Sequence, residues 1–111
     1  MANKYNAVKT KVGDKTFDSK KEAARYQNLL LLERVGDIRN LKLQVPIKLM
    51  GQNGPILTRT GRHMRLTVDF VYEDKRLNWA KVCEDTKGMI TRDYEVRKAI
   101  AEAMGYKIIE T

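Results

Sequence analysis

Two stretches of the chain carry hydrophobic residues at helical spacing. The first begins after Ser19, whose spacing to Glu22 is that of a capping box, and it continues until Gly36 supplies a stop. The second runs from Thr91 to Met104 and places its apolar side chains on one face. The pattern predicts one helix over about residues 20–35 and another over 91–104.

Alternating apolar and polar positions indicate strands between and after these helices. From Leu41 to Leu49 the odd positions are apolar, and Pro46 places this strand at a sheet edge or at a bulge. Further strands are predicted over about 66–72 and 78–86, and a last one over 106–109. The order of helix, three strands, helix and strand predicts an α+β or α/β fold.

The chain is strongly basic and has the length of one domain. It contains 111 residues, with 22 Lys and Arg against 14 Asp and Glu, for a formal net charge of +8. We expect a single domain over residues 1–111. Residues 1–18 are predicted to form a basic arm or hairpin that turns at Gly13 and Asp14. The excess positive charge favours a polyanionic partner, with nucleic acid first, an anionic membrane second and an acidic protein third.

Cysteine and histidine are too scarce for several kinds of site. Cys83 is the only cysteine and His63 the only histidine, which excludes an intramolecular disulfide and a Cys/His zinc cluster. The longest aliphatic run, residues 29–32, is far shorter than the roughly 20 residues of a membrane span, and the N-terminus lacks an apolar signal region. The sequence therefore predicts a soluble, cytoplasmic protein with neither a membrane partner nor a small-molecule cofactor.

Two acidic residues interrupt apolar strands in this basic chain. Asp69 and Asp85 have apolar neighbours, although aspartate is a poor strand former. If the two strands pair as an antiparallel hairpin whose turn is centred near Leu77, Asp69 lies opposite Asp85. Two carboxylates that close need a cation or a shared proton, and Mg²⁺ prefers oxygen ligands such as these and the backbone carbonyl of Thr86. Lys87, on the same strand face as Asp85, would lie next to a water bound to this ion and would orient or deprotonate it, or stabilise a charged transition state.

Four stretches carry the most distinctive motifs of the chain: Phe17-Asp-Ser-Lys-Lys-Glu-Ala-Ala-Arg-Tyr26, Leu41-Lys-Leu-Gln44, Asp69-Phe-Val-Tyr72 and Glu84-Asp-Thr-Lys-Gly88. Together they resemble the PD-(D/E)XK nuclease superfamily, and within it the small phage-encoded proteins formerly labelled a domain of unknown function. The resemblance implies a restriction-endonuclease-like core, with a mixed β-sheet flanked by helices. It also implies that Glu22, Asp69 and Asp85 hold the metal or position water, that Lys87 is catalytic, and that Gln44 supports the site.

The resemblance further implies a Mg²⁺-dependent or Mn²⁺-dependent endonuclease that hydrolyses DNA phosphodiester bonds. Duplex or branched DNA is the expected substrate, the latter as for a Holliday-junction resolvase acting as a homodimer in phage recombination or replication. Contacts to nucleic acid are expected from basic residues of the arm, the helices and the loop at 58–65: Lys9, Lys11, Lys20, Lys21, Arg59, Arg62, Arg65, Arg97 and Lys98. Two alternatives stay open, a non-catalytic nucleic-acid-binding module that retains the nuclease fold, and an adaptor for an acidic protein.

Glu22 and Asp69 also have purely structural explanations. Glu22 would complete the capping box with Ser19, a role that excludes a site role if its side chain folds back. Asp69 would be a buried acid paired with Arg65 or another arginine. Both explanations predict carboxylates that are already satisfied by the protein itself.

The acids near the end of the second predicted strand of the pair have similar alternatives. Asp85 would form an exposed ion pair with Lys87, which contributes little to stability. Glu84 lies on the opposite strand face and is expected to be solvated or paired with a lysine. His63, in the basic loop, is expected to contact phosphate or to lie at the surface.

Overall fold

The fold is known from a computed structural model, which describes residues 9–86 and 90–111, and within these ranges the chain forms eight β-strands and two α-helices. In chain order they are β1 (Thr10–Val12), β2 (Lys15–Phe17), α1 (Lys20–Arg34), β3 (Ile38–Lys48), β4 (Met50–Gly51), β5 (Gly54–Pro55), β6 (Arg65–Asp74), β7 (Ala80–Asp85), α2 (Arg92–Ala103) and β8 (Ile108–Glu110). A short 3₁₀ helix, Lys75–Leu77, connects β6 to β7. The α+β architecture predicted from the sequence is confirmed.

A mixed sheet forms the centre of the described part of the chain, with its strands in the order β3-β6-β7-β8. The first three strands pair antiparallel, and β8 pairs parallel to β7. Pro46 lies on the edge strand β3, as its sequence position indicates. β7 is an interior strand, and its residues Val82–Asp85 are all buried, because α1 packs on one face of the sheet and α2 on the other.

Each helix begins directly after a capping side chain, which the sequence predicted for Ser19, whereas Thr91 was predicted as the first residue of its helix and is instead the cap. The Ser19 Oγ accepts a hydrogen bond from the backbone N–H of Glu22 at 3.1 Å, and the Thr91 Oγ1 accepts one from Tyr94 at 3.1 Å. After α1 the chain passes through Gly36, whose φ of 86° is the left-handed conformation that glycine adopts readily at a helix end. These local signals, a capping side chain before each helix and a glycine after α1, explain why the predicted helix bounds agree with the structure to within one residue.

Strand β6 is longer than predicted, because charged residues that suggested a turn belong to the strand. Glu73 pairs with Arg39 of β3, with 2.6 Å between Oε1 and Nε. Asp74 ends the strand, and its Oδ1 accepts a hydrogen bond from the backbone N–H of Arg76 at 2.9 Å. The carboxylate therefore caps the 3₁₀ helix, so the turn begins two residues later than the charge pattern indicates.

Two hydrophobic clusters pack on the sheet, one with each helix. One joins Leu29 of α1 to Phe70 and Tyr72, and the other joins α2 to Val71 and Cys83. Because successive residues of a strand point to opposite faces, the alternation of Phe70, Val71 and Tyr72 between the clusters places the two helices on opposite faces of the sheet.

The N-terminal arm, over its described residues, is a hairpin packed on α1. β1 and β2 pair antiparallel through a turn in which Gly13 has a φ of 62°. Phe17 is buried, and its ring lies 4.9 Å from the ring of Tyr26, measured between centroids. The packing fixes the hairpin beside the start of the helix. No helix in the described ranges is long and apolar enough to cross a membrane.

Candidate metal and nucleic-acid site

Three polar side chains from three separate elements meet beside the start of α1. The Nε2 of Gln44 on β3 donates to Oε1 of Glu22 at 3.1 Å and to Oδ1 of Asp69 at 3.0 Å. Glu22 lies in the first turn of α1 and Asp69 in the middle of β6. The structure thus brings together Glu22, Asp69 and Gln44, which the sequence predicted to share a site.

The backbone of Gln44 is in an uncommon conformation. Its φ is 50°, in the left-handed region that non-glycine residues adopt at a cost of roughly 1–2 kcal/mol. The residue lies between the pairs Leu43↔Phe70 and Val45↔Val68, so it faces Asp69 across the two strands. This conformation accompanies the double contact of the Gln44 amide with two carboxyl groups. Strain of this kind is common at functional sites.

The pairing of β6 with β7 follows the register predicted from the sequence. The pairs Phe70↔Glu84 and Asp74↔Ala80 are both centred on Leu77. The next step along the ladder brings Asp69 to the end of β7, where its Oδ2 accepts a hydrogen bond from the backbone N–H of Thr86 at 2.8 Å. Asp69 is therefore in contact with the residue that directly follows Asp85.

Asp85 is the last residue of β7 and is 1% exposed, so the expectation that it is an exposed acid is wrong. Its negative charge acts on Tyr94 of α2, whose pKa is raised first by burial and then by the Asp85 carboxylate. Within residues 9–86 and 90–111, no group of three or more His, Cys, Asp or Glu side chains is arranged to hold a metal ion. The predicted participation of Asp85 in one ligand set with Glu22 and Asp69 stays a prediction.

The surroundings of Glu22 in this site raise the pKa of its carboxyl group. Burial is the main cause that raises its pKa to about 7, and the Asp69 carboxylate adds to the rise through its charge and a side-chain hydrogen bond. Asp18 adds a further unfavourable charge. Burial beside a second acid thus favours the protonated form of Glu22, and two adjacent carboxyl groups of this kind suit a hard divalent ion such as Mg²⁺.

The capping role of Glu22 does not exclude its predicted site role, because the side chain does not fold back onto Ser19. Its backbone N–H completes the Ser19 cap, while its carboxyl group contacts Gln44. The same carboxyl group accepts a hydrogen bond from the backbone of Asp18, which lowers its pKa slightly against the other influences. The side chain therefore spans the helix start and the sheet. Lys87, and with it the predicted ion pair to Asp85, lies outside the described residues.

A cleft of about 330 Å³ opens beside Glu22 and Gln44. Its walls are the β1–β2 hairpin, the start of α1 and the middle of β3, and its lining includes Lys15, Thr16 and Leu43. Lys15 is exposed and extends the basic character of the arm to this opening. A ligand that enters the cleft therefore reaches the Glu22 carboxyl group.

Comparison with family models matches residues 2–110 to the family described as "Protein of unknown function (DUF1064)". The chain belongs to this family. No curated protein and no solved structure matches it significantly. Membership therefore covers nearly the whole chain and states no activity, so the chemistry must be argued from the site of this family member itself.

The basic residues predicted to contact nucleic acid divide into two groups. Seven are exposed, on the hairpin, at the start of α1, and in the loop and strand start that follow β5: Lys9, Lys11, Lys20, Lys21, Arg59, Arg62 and Arg65. Two on α2 are half-buried and already paired with acids of this chain, Arg97 with Asp93 at 3.1 Å and Lys98 with Glu110 at 3.1 Å. Arg97 also donates to the backbone oxygen of Arg65 at 2.7 Å. The exposed group is the one available to phosphate.

The expectation that Glu84 is solvated or paired with a lysine is wrong. Glu84 is fully buried and pairs with Arg25, whose Nη2 donates to Oε2 at 3.0 Å and whose Nε donates to Oε1. The Tyr72 hydroxyl also donates to Oε2, at 2.7 Å. The sequence indicates β7 but not what packs on its two faces: Arg25 of α1 lies over Glu84, and Tyr94 of α2 lies on the face of Asp85.

Two smaller expectations receive a structural answer. Among the described residues Asp69 contacts Gln44, Thr86 and Glu22, and its expected partner Arg65 is not one of them. His63 is half-buried and its Nε2 lies 3.0 Å from the backbone oxygen of Leu49. This contact joins the loop that follows β5 to the residue between β3 and β4.

Proposed function

We propose that this protein is a divalent-metal-dependent DNA endonuclease that hydrolyses phosphodiester bonds. The observation that carries the proposal is the meeting of Glu22 and Asp69, two acids from separate elements of a chain with a net charge of +8. Their shared contact with Gln44 and the raised pKa of Glu22 indicate a site that a cation would stabilise. A merely structural pair of acids would be expected to have a basic partner, as Glu84 has in Arg25.

The proposed ligands of Mg²⁺ or Mn²⁺ are Glu22, Asp69 and Asp85, with the backbone carbonyl of Thr86. All are hard oxygen donors, which is the donor type that both ions prefer. A divalent ion at such a site supplies activation of water and neutralisation of charge on the phosphodiester. Lys87 is proposed as the general base or water-orienting residue.

The side chains around the carboxyl groups have roles that follow from their contacts. Gln44 holds Glu22 and Asp69 beside each other by donating to both. The Thr86 N–H fixes the second oxygen of Asp69, which leaves the outward lone pairs of both carboxyl groups for a ligand. Lys15, at the mouth of the cleft, is suited to bind the phosphate backbone as it enters.

The substrate is proposed to be duplex or branched DNA. Seven exposed basic residues on the hairpin, α1 and the 59–65 segment would bind backbone phosphates, an interaction without sequence preference. A homodimer that resolves four-way junctions during phage recombination or replication, in the host cytoplasm, is the setting that best suits a small nuclease of this kind. The basic surface supports DNA binding in general, and the assays below separate the branched from the linear substrate.

Cleavage assays with matched variants test the proposal. Linear duplex, flapped and four-way-junction DNA are incubated with the protein and Mg²⁺, Mn²⁺ or EDTA. We expect metal-dependent cleavage that falls at least about 100-fold in Asp69→Asn and in Lys87→Ala, since each removes a group placed at the reacting centre. Asp74→Asn is the matched control, because Asp74 is on the same strand but caps the following turn. Activity that survives both Asp69→Asn and Lys87→Ala excludes this site.

The same preparations distinguish the non-catalytic alternative. A binding module would show DNA affinity that falls steeply with salt, yet no uptake of Mg²⁺ or Mn²⁺ in calorimetry. An adaptor for an acidic protein would show little DNA affinity under any salt condition. Either result replaces the nuclease proposal.

A further inference from the structure

One buried carboxylate that the proposed chemistry does not use lies close to the site. Glu84 has both carboxylate oxygens satisfied, one by Nε of Arg25 and the other by Nη2 of Arg25 at 3.0 Å and by the Tyr72 hydroxyl at 2.7 Å. The carboxylate is 0% exposed, whereas the Arg25 side chain is 28% exposed. We call these three residues the Arg25–Glu84–Tyr72 network. Its charges compensate each other within the protein.

Each member of the network is a near neighbour in the chain of a proposed site residue. Arg25 follows Glu22 by one helical turn on α1, so the two side chains leave the same side of the helix. Glu84 directly precedes Asp85 on β7. The ion pair therefore connects the helix that carries one proposed ligand to the strand that carries another.

The geometry of this connection restricts sliding of the helix more than apolar packing does. Tyr26 of α1 also packs on the sheet, with its ring 6.4 Å from that of Phe70 and nearly parallel to it. Apolar contacts are non-directional, whereas two parallel hydrogen bonds from a guanidinium to a carboxylate are specific in both distance and angle. A helix displaced by one residue moves about 1.5 Å along its axis, enough to separate Glu22 from Gln44.

We propose that Arg25, Tyr72 and Glu84 are positioning residues that hold α1 at the one position along the sheet where Glu22 meets Gln44 and Asp69. The inference rests on the proposed function, since it assigns the network to the same metal site. A misplacement of about 1 Å at a reacting centre is sufficient to reduce turnover about 100-fold, so a network of this kind acts on catalysis without touching the substrate.

An apolar variant tests this role without leaving a buried charge. The triple variant combines Arg25→Met, Tyr72→Phe and Glu84→Leu, so that no member of the network remains unpaired in the interior. The matched control is Arg39→Met with Glu73→Leu, which removes an exposed Arg–Glu pair between β3 and β6. Circular dichroism and thermal unfolding establish that each variant folds.

The readouts separate positioning from support of the fold. At saturating Mg²⁺ we expect the triple variant to lose about 10-fold or more in kcat while its KM for DNA stays within about twofold. The ¹H–¹⁵N resonances of the Gln44 side-chain amide should shift, because its contact with Glu22 changes. The control should keep both the kcat and these resonances. A folded triple variant with the kcat and Gln44 resonances of the wild type overturns the inference.

A second variant decides the question if the triple variant does not fold. Glu84→Gln keeps the shape of the side chain and its place in the strand but removes the charge that orients Arg25. Shifted Gln44 resonances with a reduced kcat support positioning, and unchanged values for both overturn it. Should the wild type show no cleavage, the proposed function fails, while the Gln44 resonances still report whether the network positions Glu22.

Discussion

Two acidic clusters share α1, β6 and the end of β7, yet the protein treats their charges in opposite ways. Glu84 is buried with a guanidinium and a hydroxyl on its oxygens. Glu22, one helical turn before Arg25 on α1, is also buried, but it lies beside a second acid, Asp69, and the uncharged amide of Gln44. The charge of Glu84 is thus balanced within the protein, whereas the charges of Glu22 and Asp69 are balanced only by a proton or a cation.

The difference separates a structural acid from a binding acid by a criterion that does not need a known activity. A compensated carboxylate loses little from burial, because its partner returns the interaction that water supplied. An uncompensated one keeps a raised pKa, and it releases a proton when a cation arrives. Under the proposed function, Glu84 therefore has a positioning role, and Glu22 with Asp69 forms the pair that binds the ion.

The largest effect should come from removing the acid of the compensated cluster. Glu84→Ala leaves the Arg25 guanidinium and the Tyr72 hydroxyl without their partner, and we expect a loss of about 3 kcal/mol in the free energy of unfolding. Urea denaturation measures it. Glu73→Ala, in the exposed pair with Arg39, is the control and should lose far less. Equal losses for the two variants would remove the contrast between buried and exposed pairs.

A smaller effect should appear in the pH dependence of stability. In EDTA the folded protein binds a proton at Glu22 with a pKa of about 7, above the ordinary value of 4.5 for this side chain. The folded state therefore holds more protons than the unfolded state between these values, so stability falls as the pH rises from 4.5 to 7 and levels off above.

The comparison of wild type with Glu22→Gln isolates this contribution. We expect the difference in unfolding free energy to change by roughly 2 kcal/mol across that pH window, with the variant showing the flatter curve. Urea titrations at a series of pH values measure it. A wild-type curve parallel to that of the variant would show that Glu22 is not held in its protonated form.

Metal binding should stabilise the wild type by a still smaller amount. At a Mg²⁺ or Mn²⁺ concentration about five times the Kd, a bound ion adds about 1 kcal/mol to the unfolding free energy. Thermal unfolding with and without the ion measures the shift. Asp69→Asn should show no shift, whereas Asp74→Asn should match the wild type. A shift of equal size in all three proteins would locate the ion elsewhere.

The smallest effect concerns the strained backbone at Gln44. Both Gln44→Ala and Gln44→Gly lose the amide contacts, but glycine accepts the φ of 50° without strain. We expect the glycine variant to be more stable than the alanine variant by about 1 kcal/mol, as chemical denaturation would show. Asn40 has a φ of 57° on the same strand, so its glycine and alanine variants should differ in stability in the same direction. Equal stability of the glycine and alanine variants at 44 would mean that the backbone relaxes.

Local patterns predicted most of the elements and part of the candidate site. The cap at Ser19, the alternation in β3 and the register centred on Leu77 are all properties of short segments, and all hold in the structure. Asp69 could be selected because a lone aspartate in an apolar strand is a local anomaly. The basic residues of α2 could not be sorted from the others, because their acidic partners include Glu110 of a distant strand.

The amino-acid sequence by itself determined the order of the helices and main strands, the basic character, and the candidates Asp69 and Asp85, whereas Glu22 and Gln44 became candidates only through the resemblance of its motifs to the PD-(D/E)XK nucleases. These depend on residue type and spacing, which act over a few neighbours. Only the tertiary structure decided that Glu84 is neutralised by Arg25 and that Glu22 is left beside Asp69. The reason is physical: the state of a carboxylate is set by the charges and the solvent around it, and folding brings those from remote parts of the chain.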